Sequence, residues 1–208
     1  MYVPEHFRAT DLAHLDWLVR HDAFGTLVSS VDGAPFASHV PVLYQREADR
    51  VTLTGHWARP NPQWRGIEEQ RVLLILHGPH TYVSPRWYED PRRHVPTWNY
   101  AVAHLYGRIR LIENPEQLLR IVTSLADQYE RGQPQAWSVS AADPKVLGML
   151  RGIVGFELGV DEVQLKFKLN QNHPRTNVAG AIQGLESVPG DDARAIRALM
   201  QDALGSGR

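Results

Sequence analysis

At 208 residues, 43% hydrophobic and 22% charged, the chain has a globular composition and is long enough to bury a sizeable core. Its 22 basic and 23 acidic residues leave a formal net charge of −1, which speaks against a broad nucleic-acid footprint because phosphate neutralisation needs a basic face. The absence of cysteine excludes a disulfide, a zinc–thiolate site and a cysteine nucleophile.

Residues 1–9 read as extended, with no basic stretch followed by an apolar core of the kind that opens a signal peptide. No apolar run approaches the ~20 residues of a membrane span, so a cytoplasmic, soluble protein is expected, with no membrane partner. Thr10 or Asp11 caps a helix predicted to run to about His21, with Leu12, Leu15, Leu18 and Val19 on its apolar face. Residues 25–31 are strand-like, and Asp32-Gly33 is a strong hairpin signal. Residues 34–44 are predicted to return as a second strand, carrying Ser38-His39-Val40-Pro41 in its middle. Pro41 has no N–H for a ladder, so it marks an edge, a bulge or a ligand-facing break. Residues 45–50 read as a polar turn.

The stretch from Val51 to Tyr88 organises the rest. Val51, Leu53 and Gly55 alternate with Thr52, Thr54 and His56, the period of a half-buried strand. Asn61 can cap a helix, and Pro62 suits its first position. The expected helix N-terminus, with His56 and Arg59 just upstream, offers N–H groups, an imidazole and a guanidinium to an anion. The same residues serve equally as an ordinary strand–helix connection with a solvated arginine. Residues 72–76, Val-Leu-Leu-Ile-Leu, read as a central strand covered on both faces. His77-Gly78-Pro79-His80 is expected to end or bend it before a further strand at residues 81–84. Trp57, Trp64, Tyr82, Trp87 and Tyr88 crowd this stretch, either as walls for a flat conjugated ligand or as core and interface anchors.

Residues 89–95 form a polar loop, and a strand opens at Pro96-Thr97-Trp98-Asn99-Tyr100 and continues through Arg110. Gly107 within it suggests a bend or a close backbone approach. Asn114-Pro115 starts a helix with Leu118, Leu119, Val122 and Leu125 on its apolar face, ending near Gly132. Ala142-Asp143-Pro144 starts a short helix through Leu150. Two strands, residues 152–158 and 163–169, are predicted to form a hairpin through residues 159–162. The stretch from Asn170 to Leu185 is polar and then helical, and residues 191–204 form a last amphipathic helix. One domain spanning 1–208 is expected, with a helical extension at about 174–204. Many strands and few helices between them indicate an α+β, mainly β chain: a small barrel decorated by helices.

The ten histidines show no metal-ligand spacing, and no hydrolase elbow, Walker loop or Gly-x-Gly-x-x-Gly fingerprint is present, so no metal is expected. Lys166 and Lys168 share a strand face and are followed by Asn170, Gln171 and Asn172. They either bind a polar ligand or partner chain, or form a solvated strand end and a capping turn.

Four motifs, in this order, carry a resemblance. They are Met1-Tyr2-x-Pro4-x-His6-Phe7, Gly55-His56-x-Ala58-Arg59-x-Asn61-Pro62-Gln63-Trp64, Gly78-Pro79-His80-x-Tyr82-Val83-Ser84-Pro85-x-Trp87-Tyr88, and Val95-Pro96-Thr97-Trp98-Asn99-Tyr100. The sequence resembles the PaiB-like family of FMN-binding negative transcriptional regulators, to about Leu185. That resemblance implies a split β-barrel of the flavin-reductase and pyridoxamine-phosphate-oxidase type, forming homodimers with FMN in a groove between subunits. It places the phosphate at His56, Ala58, Arg59 and Asn61, with Trp64 in the same motif. Ser38, His39, Val40 and Pro41 then lie along the flavin ring, and Trp98, Asn99 and Gln171 approach from the same or the partner subunit. His39, His80 and Trp98 are the expected neighbours of the ring's reactive edge. The sequence departs from the family near its end. The family's Ser is Asn170 here, its Arg is His173, and its Asp-Arg pair is Asn177-Val178, which implies weakened or lost FMN binding if that arginine holds the cofactor. The resemblance leaves two activities open: a regulator acting indirectly, since no basic recognition helix supports direct DNA binding, and an FMN-dependent oxidoreductase or flavin reductase. No catalytic residue is singled out.

Overall fold

A computed structural model describes residues 1–139 and 144–205. Its strands are β1 (Arg8–Ala9), β2 (Phe24–Val31), β3 (Ala34–Pro41), β4 (Leu43–Glu47), β5 (Arg50–Ala58), β6 (Arg71–Val83), β7 (Thr97–Ile112) and β8 (Ile153–Lys168). Its helices are α1 (Ala13–His21), α2 (Pro115–Glu130), α3 (Pro144–Met149), α4 (Arg175–Leu185) and α5 (Asp191–Gly205). The strands follow the order β3-β2-β6-β7-β8-β5-β4, with β1 paired to β8. The chain divides into two compact units. One comprises Met1–His21, His77–Ala103 and Gln164–Arg208, the other Asp22–Leu76 and His104–Val163.

The larger unit is built from hairpins. Asp32 and Gly33 both take left-handed φ values, 51° and 79°, the geometry of a two-residue turn whose twist matches its strands. That turn fixes the β2–β3 register from Val31↔Ala34 to Phe24↔Pro41. β4 and β5 form a second antiparallel hairpin, Glu47↔Arg50 to Leu43↔Thr54, and β5 pairs onward with β8. Leu27, Leu53, Leu74, Leu76, Leu105, Phe156 and Leu158 are fully buried. Below them Ile112, Leu118, Ile121, Leu125 and Leu150 form a satellite core under α2, with Leu119 and Val122 at its margin. Asn114 caps α2 by accepting from the N–H groups of Glu116 and Gln117 at 3.0 and 3.1 Å.

The smaller unit holds α1, α4 and α5 together with β1 and parts of β6, β7 and β8. Asp11 Oδ1 accepts from Ala13 N at 2.8 Å and so caps α1, which buries Leu15 and Leu18. Ala181, Leu185, Ile196 and Met200 are the buried positions of α4 and α5.

Several expected elements take another form. The helix expected after Asn61 is two separate 3-10 turns, Pro62–Trp64 and Ile67–Glu69. Asn61 does cap the first, but Gly66 at φ 68° breaks the run between them. Of the polar turn expected at 45–50 only residues 48 and 49 turn, since 45–47 belong to the edge strand β4 and Arg50 opens β5, and the single strand expected over 34–44 divides after Pro41. β6 runs unbroken through His77-Gly78-Pro79-His80. Its register with β2 stops at Leu76, so beyond that point β2 makes no demand on the N–H that a proline lacks. The hairpin expected at 159–162 does not form: β8 is one strand of 16 residues. Gly107 is the predicted close approach, since a Cβ there would lie 2.0 Å from the Gly159 carbonyl oxygen. Of the helix start expected at 142–144, Ala142 and Asp143 lie outside the described residues.

Candidate functional site

The residues singled out in the sequence fall into two groups, one in each unit. In the larger unit they gather where β3 and β5 end. Gln63 is the keystone of this corner and is wholly buried. Its Nε2 lies 2.9 Å from the Leu27 carbonyl, 3.0 Å from Ser29 Oγ and 3.2 Å from the Phe36 carbonyl. Its Oε1 accepts from Trp57 Nε1 at 3.1 Å. Asn61 Oδ1 accepts from Gln63 N at 2.9 Å, and Asn61 Nδ2 donates to Ser38 Oγ at 2.8 Å. Ser38 and Val40 are buried, Pro41 is half-buried and ends β3, and His39 is exposed with its Nδ1 3.1 Å from Thr26 Oγ1.

Ala58 closes β5, and the chain turns through Arg59. The Arg59 guanidinium donates to the carbonyls of Arg151 (2.8 Å) and Ile153 (3.0 Å) and to the Glu113 carboxylate (3.0 Å). Trp64 Nε1 donates to the Arg59 carbonyl at 2.9 Å, and the Arg65 guanidinium covers the Trp64 ring at 4.9 Å. The backbone N–H groups of Arg59, Asn61, Gln63 and Arg65 all donate within the chain. An anion at this corner therefore meets side-chain donors, not the dipole of a helix end. His56 is half-buried, and its Nδ1 has no hydrogen-bond partner among the described residues. Burial holds its imidazole below the ordinary pKa, so it stays neutral at pH 7.

In the smaller unit Trp98 is 53% exposed, with the Tyr82 ring edge-on and the His80 ring tilted, both at 6.1 Å. His80 Nδ1 lies 3.3 Å from the Asp192 carboxylate. Asn99 points the other way: it is wholly buried, donates to Met200 Sδ at 3.3 Å and leaves its Oδ1 without a partner among the described residues. Gln171 closes the turn after β8, donating to the Phe167 carbonyl at 2.6 Å and accepting from Leu169 N at 2.7 Å.

The altered C-terminal motif forms a cluster of its own, which sequence reasoning did not anticipate. Asn170 adopts φ 67°, is 1% exposed and donates to the Tyr88 hydroxyl at 2.9 Å. The His173 ring stacks on Tyr88 at 4.9 Å and lies 5.3 Å from the His94 ring. Asn177 Oδ1 accepts from Glu89 N at 3.0 Å, while its Nδ2 meets His94 Nε2 at 3.3 Å. These three departures from the family pattern tie the 88–94 loop to α4. Burial, then the neighbouring His94 and Lys168, lower the pKa of His173, and burial raises that of the Tyr88 phenol. Only the spacing of Tyr88, His94 and His173 in the chain could have hinted at this, and spacing alone does not bring distant residues together.

The strand order is that of a split β-barrel, the fold shared with the solved structures that the chain resembles. Over 80% of its length the chain is similar to the flavocytochrome Anf3 from Azotobacter vinelandii, covering 72% of that chain with a TM-score of 0.60 and 17% identity. Over 77% it is similar to the FAD and heme binding protein from Mycobacterium smegmatis, covering 73% of that chain with a TM-score of 0.59 and 19% identity. Identities this low show the fold alone. Residues 1–162 match the family described as "Putative FMN-binding domain". The chain is 37% identical, over 98% of its length and 98% of the relative's, to the protease synthase and sporulation protein PAI 2 of Bacillus subtilis. The chain thus belongs to this FMN-binding family, and FMN is the cofactor its membership assigns. No helix among the described residues is long and apolar enough to cross a membrane.

Proposed function

We propose that the chain is a homodimeric FMN-binding protein whose flavin site is the corner of β3 and β5, and that its regulatory role is exerted without direct contact to DNA. The donor set of that corner carries the reading. A guanidinium has five N–H donors, and three of those of Arg59 are engaged. The remaining two and the second Asn61 amide hydrogen suit a phosphate, with Ser38, His56, Ala58 and Trp64 around them. FMN, when bound, supplies a redox-active ring and a phosphate. The chain's own task is to hold that phosphate by charge-assisted bonds and to lay the ring along Ser38, His39, Val40 and Pro41. Trp98 is offered to a second copy as an interface anchor, a common use of exposed tryptophan, with Asn99 and Gln171 fixing the strands that present it. The relative's place in sporulation supports a regulatory reading. The last helix offers no DNA-reading face: Arg194 and Arg197 are its only basic residues, and they pair with Asp191 and Glu186.

The test is flavin retention. Purified protein incubated with FMN and desalted keeps a visible flavin absorbance band, and Arg59→Ala weakens that binding by about 1.5–3 kcal/mol. Arg59 also braces Arg151 and Ile153, so chemical denaturation of the variant separates lost binding from lost folding. Unchanged affinity in a folded variant would place the phosphate elsewhere.

A further inference from the structure

We propose that Arg8, Lys166 and Lys168 form an oxyanion site, made of residues distinct from those of the β3–β5 corner, that takes the phosphate or carboxylate group of a small molecule.

The register of β1 on β8 sets Arg8 directly opposite Lys166, and directly opposed residues of an antiparallel pair project from the same face. Lys168 is two residues along β8 and shares that face, about 7 Å further on. Three cations therefore line one short surface, an arrangement that is unfavourable on its own because opposed like charges repel.

Among the described residues no carboxylate pairs with them. Lys166 is only 8% exposed. Its Nζ donates to the Tyr2 carbonyl at 3.1 Å and sits near the rings of Tyr2 (5.7 Å) and Tyr100 (5.2 Å). Lys168 Nζ donates to the Trp98 carbonyl at 2.8 Å and to Thr97 Oγ1, with the Phe7 ring at 5.9 Å. Every acceptor is neutral. Among the described residues none of the three cations enters an ion pair, whereas Arg59, Arg71, Arg110 and Arg197 each meet a carboxylate. A solvated lysine without a counter-ion is ordinary, but a buried one is not, because a charge leaving water calls for a partner. Burial, and then the charge of Lys166, lower the pKa of Lys168, which marks this ammonium as short of negative charge.

The chemistry of the missing partner follows from the donors. Ammonium groups act as point charges toward phosphate, and a guanidinium adds a planar fork for two oxygens. Lys166 uses one of its three N–H donors and Lys168 two, so both retain hydrogens for an oxyanion. The buried Phe7 ring and the half-buried Tyr100 ring flank it and lower the local polarity, which strengthens each charge-assisted bond.

The purified full chain is titrated with inorganic phosphate and, separately, with acetate at constant ionic strength, and the lysine side-chain NMR signals are followed across pH. Saturable binding is expected, with the Lys168 titration midpoint moving up when the anion is bound. Arg8→Gln and Lys168→Met should each weaken that binding at least tenfold. Arg8 is exposed and its side chain makes no hydrogen bond or ion pair among the described residues, so Arg8→Gln remains a fair test even if a lysine variant fails to fold. A response to phosphate and not acetate assigns a phosphate ester, and the reverse a carboxylate. No saturable response to either anion, or binding that a folded variant leaves unchanged, overturns the site.

Discussion

Gln63 shows how one side chain can join a strand pair to a turn. The Asn-Pro-Gln-Trp run was legible as a cap, because Asn61 and Pro62 act through their immediate neighbours. The role of Gln63 was not, since its partners Leu27, Ser29, Phe36 and Trp57 come from β2, β3 and β5. Gln63→Leu keeps the volume but leaves the buried Trp57 N–H and the β2–β3 acceptors unsatisfied. The cost expected is about 2–4 kcal/mol, more than one lost buried partner, read as a lower denaturant midpoint at unchanged slope. His173 supplies a second residue-scale prediction. Its folded-state pKa lies below that of the free imidazole, about 6.5. Between those two values the unfolded chain binds more protons, so stability rises with pH there. The contribution is complete above about pH 6.5 and falls away as pH drops through the folded value. Denaturant midpoints at pH 8 and pH 5.5 should therefore differ more in the parent chain than in His173→Phe, which keeps the stack on Tyr88. An identical difference in both would show that His173 is not the titrating group.

Elements were legible where their limits are set locally. The α1 and α2 caps and the Asp32-Gly33 turn need only adjacent residues, and all three form as read. Errors arose where length or pairing depends on distant chain. The cap at Asn61 serves a three-residue turn as well as a helix, and nothing in a cap encodes how far the helix runs. Gly159-Val160-Asp161-Glu162 looks like a turn because it is polar. In the fold it stays in β8, with Asp161 and Glu162 facing solvent and paired to Arg71 at 2.7 and 2.6 Å. Ile121 belongs to the α2 core, although the periodicity favoured Leu119 and Val122. At Gly107 β7 and β8 depend on each other directly. Gly107→Ala drives a methyl into the Gly159 carbonyl, which is backbone and cannot turn aside. A loss of about 3 kcal/mol or more is expected, at the upper end for overpacking, visible as a drop in melting temperature. Retention of the parent value would mean that β7 and β8 shift apart at little cost.

At the scale of the whole molecule, the family and its barrel were legible because long motifs rich in Trp, His and Pro tolerate few coincidences. The ligand geometry was less so. Of the residues expected to approach the flavin from elsewhere, Trp98 is exposed, Asn99 is wholly buried against Met200, and Gln171 closes a turn. Strand alternation separates Trp98 from Asn99, and a motif match does not say which face meets solvent. Homodimerisation is tested at Trp98. Trp98→Glu should shift the protein from dimer to monomer in sedimentation velocity, with little change in melting temperature, because a ring 53% exposed adds little to the fold of one subunit. A variant that sediments like the parent would remove Trp98 from any subunit interface.

The division of the chain into units has a consequence for heredity. One unit is assembled from three chain segments and the other from two, and three of the four seams fall inside β6, β7 and β8, after Leu76, Ala103 and Val163. A single genetic crossover after Leu76 or Ala103 would splice a strand from two parents and give neither unit complete. Any single crossover leaves the smaller unit of mixed parentage, because that unit holds both ends of the chain, whereas the larger stays whole when the cut falls outside Asp22–Val163.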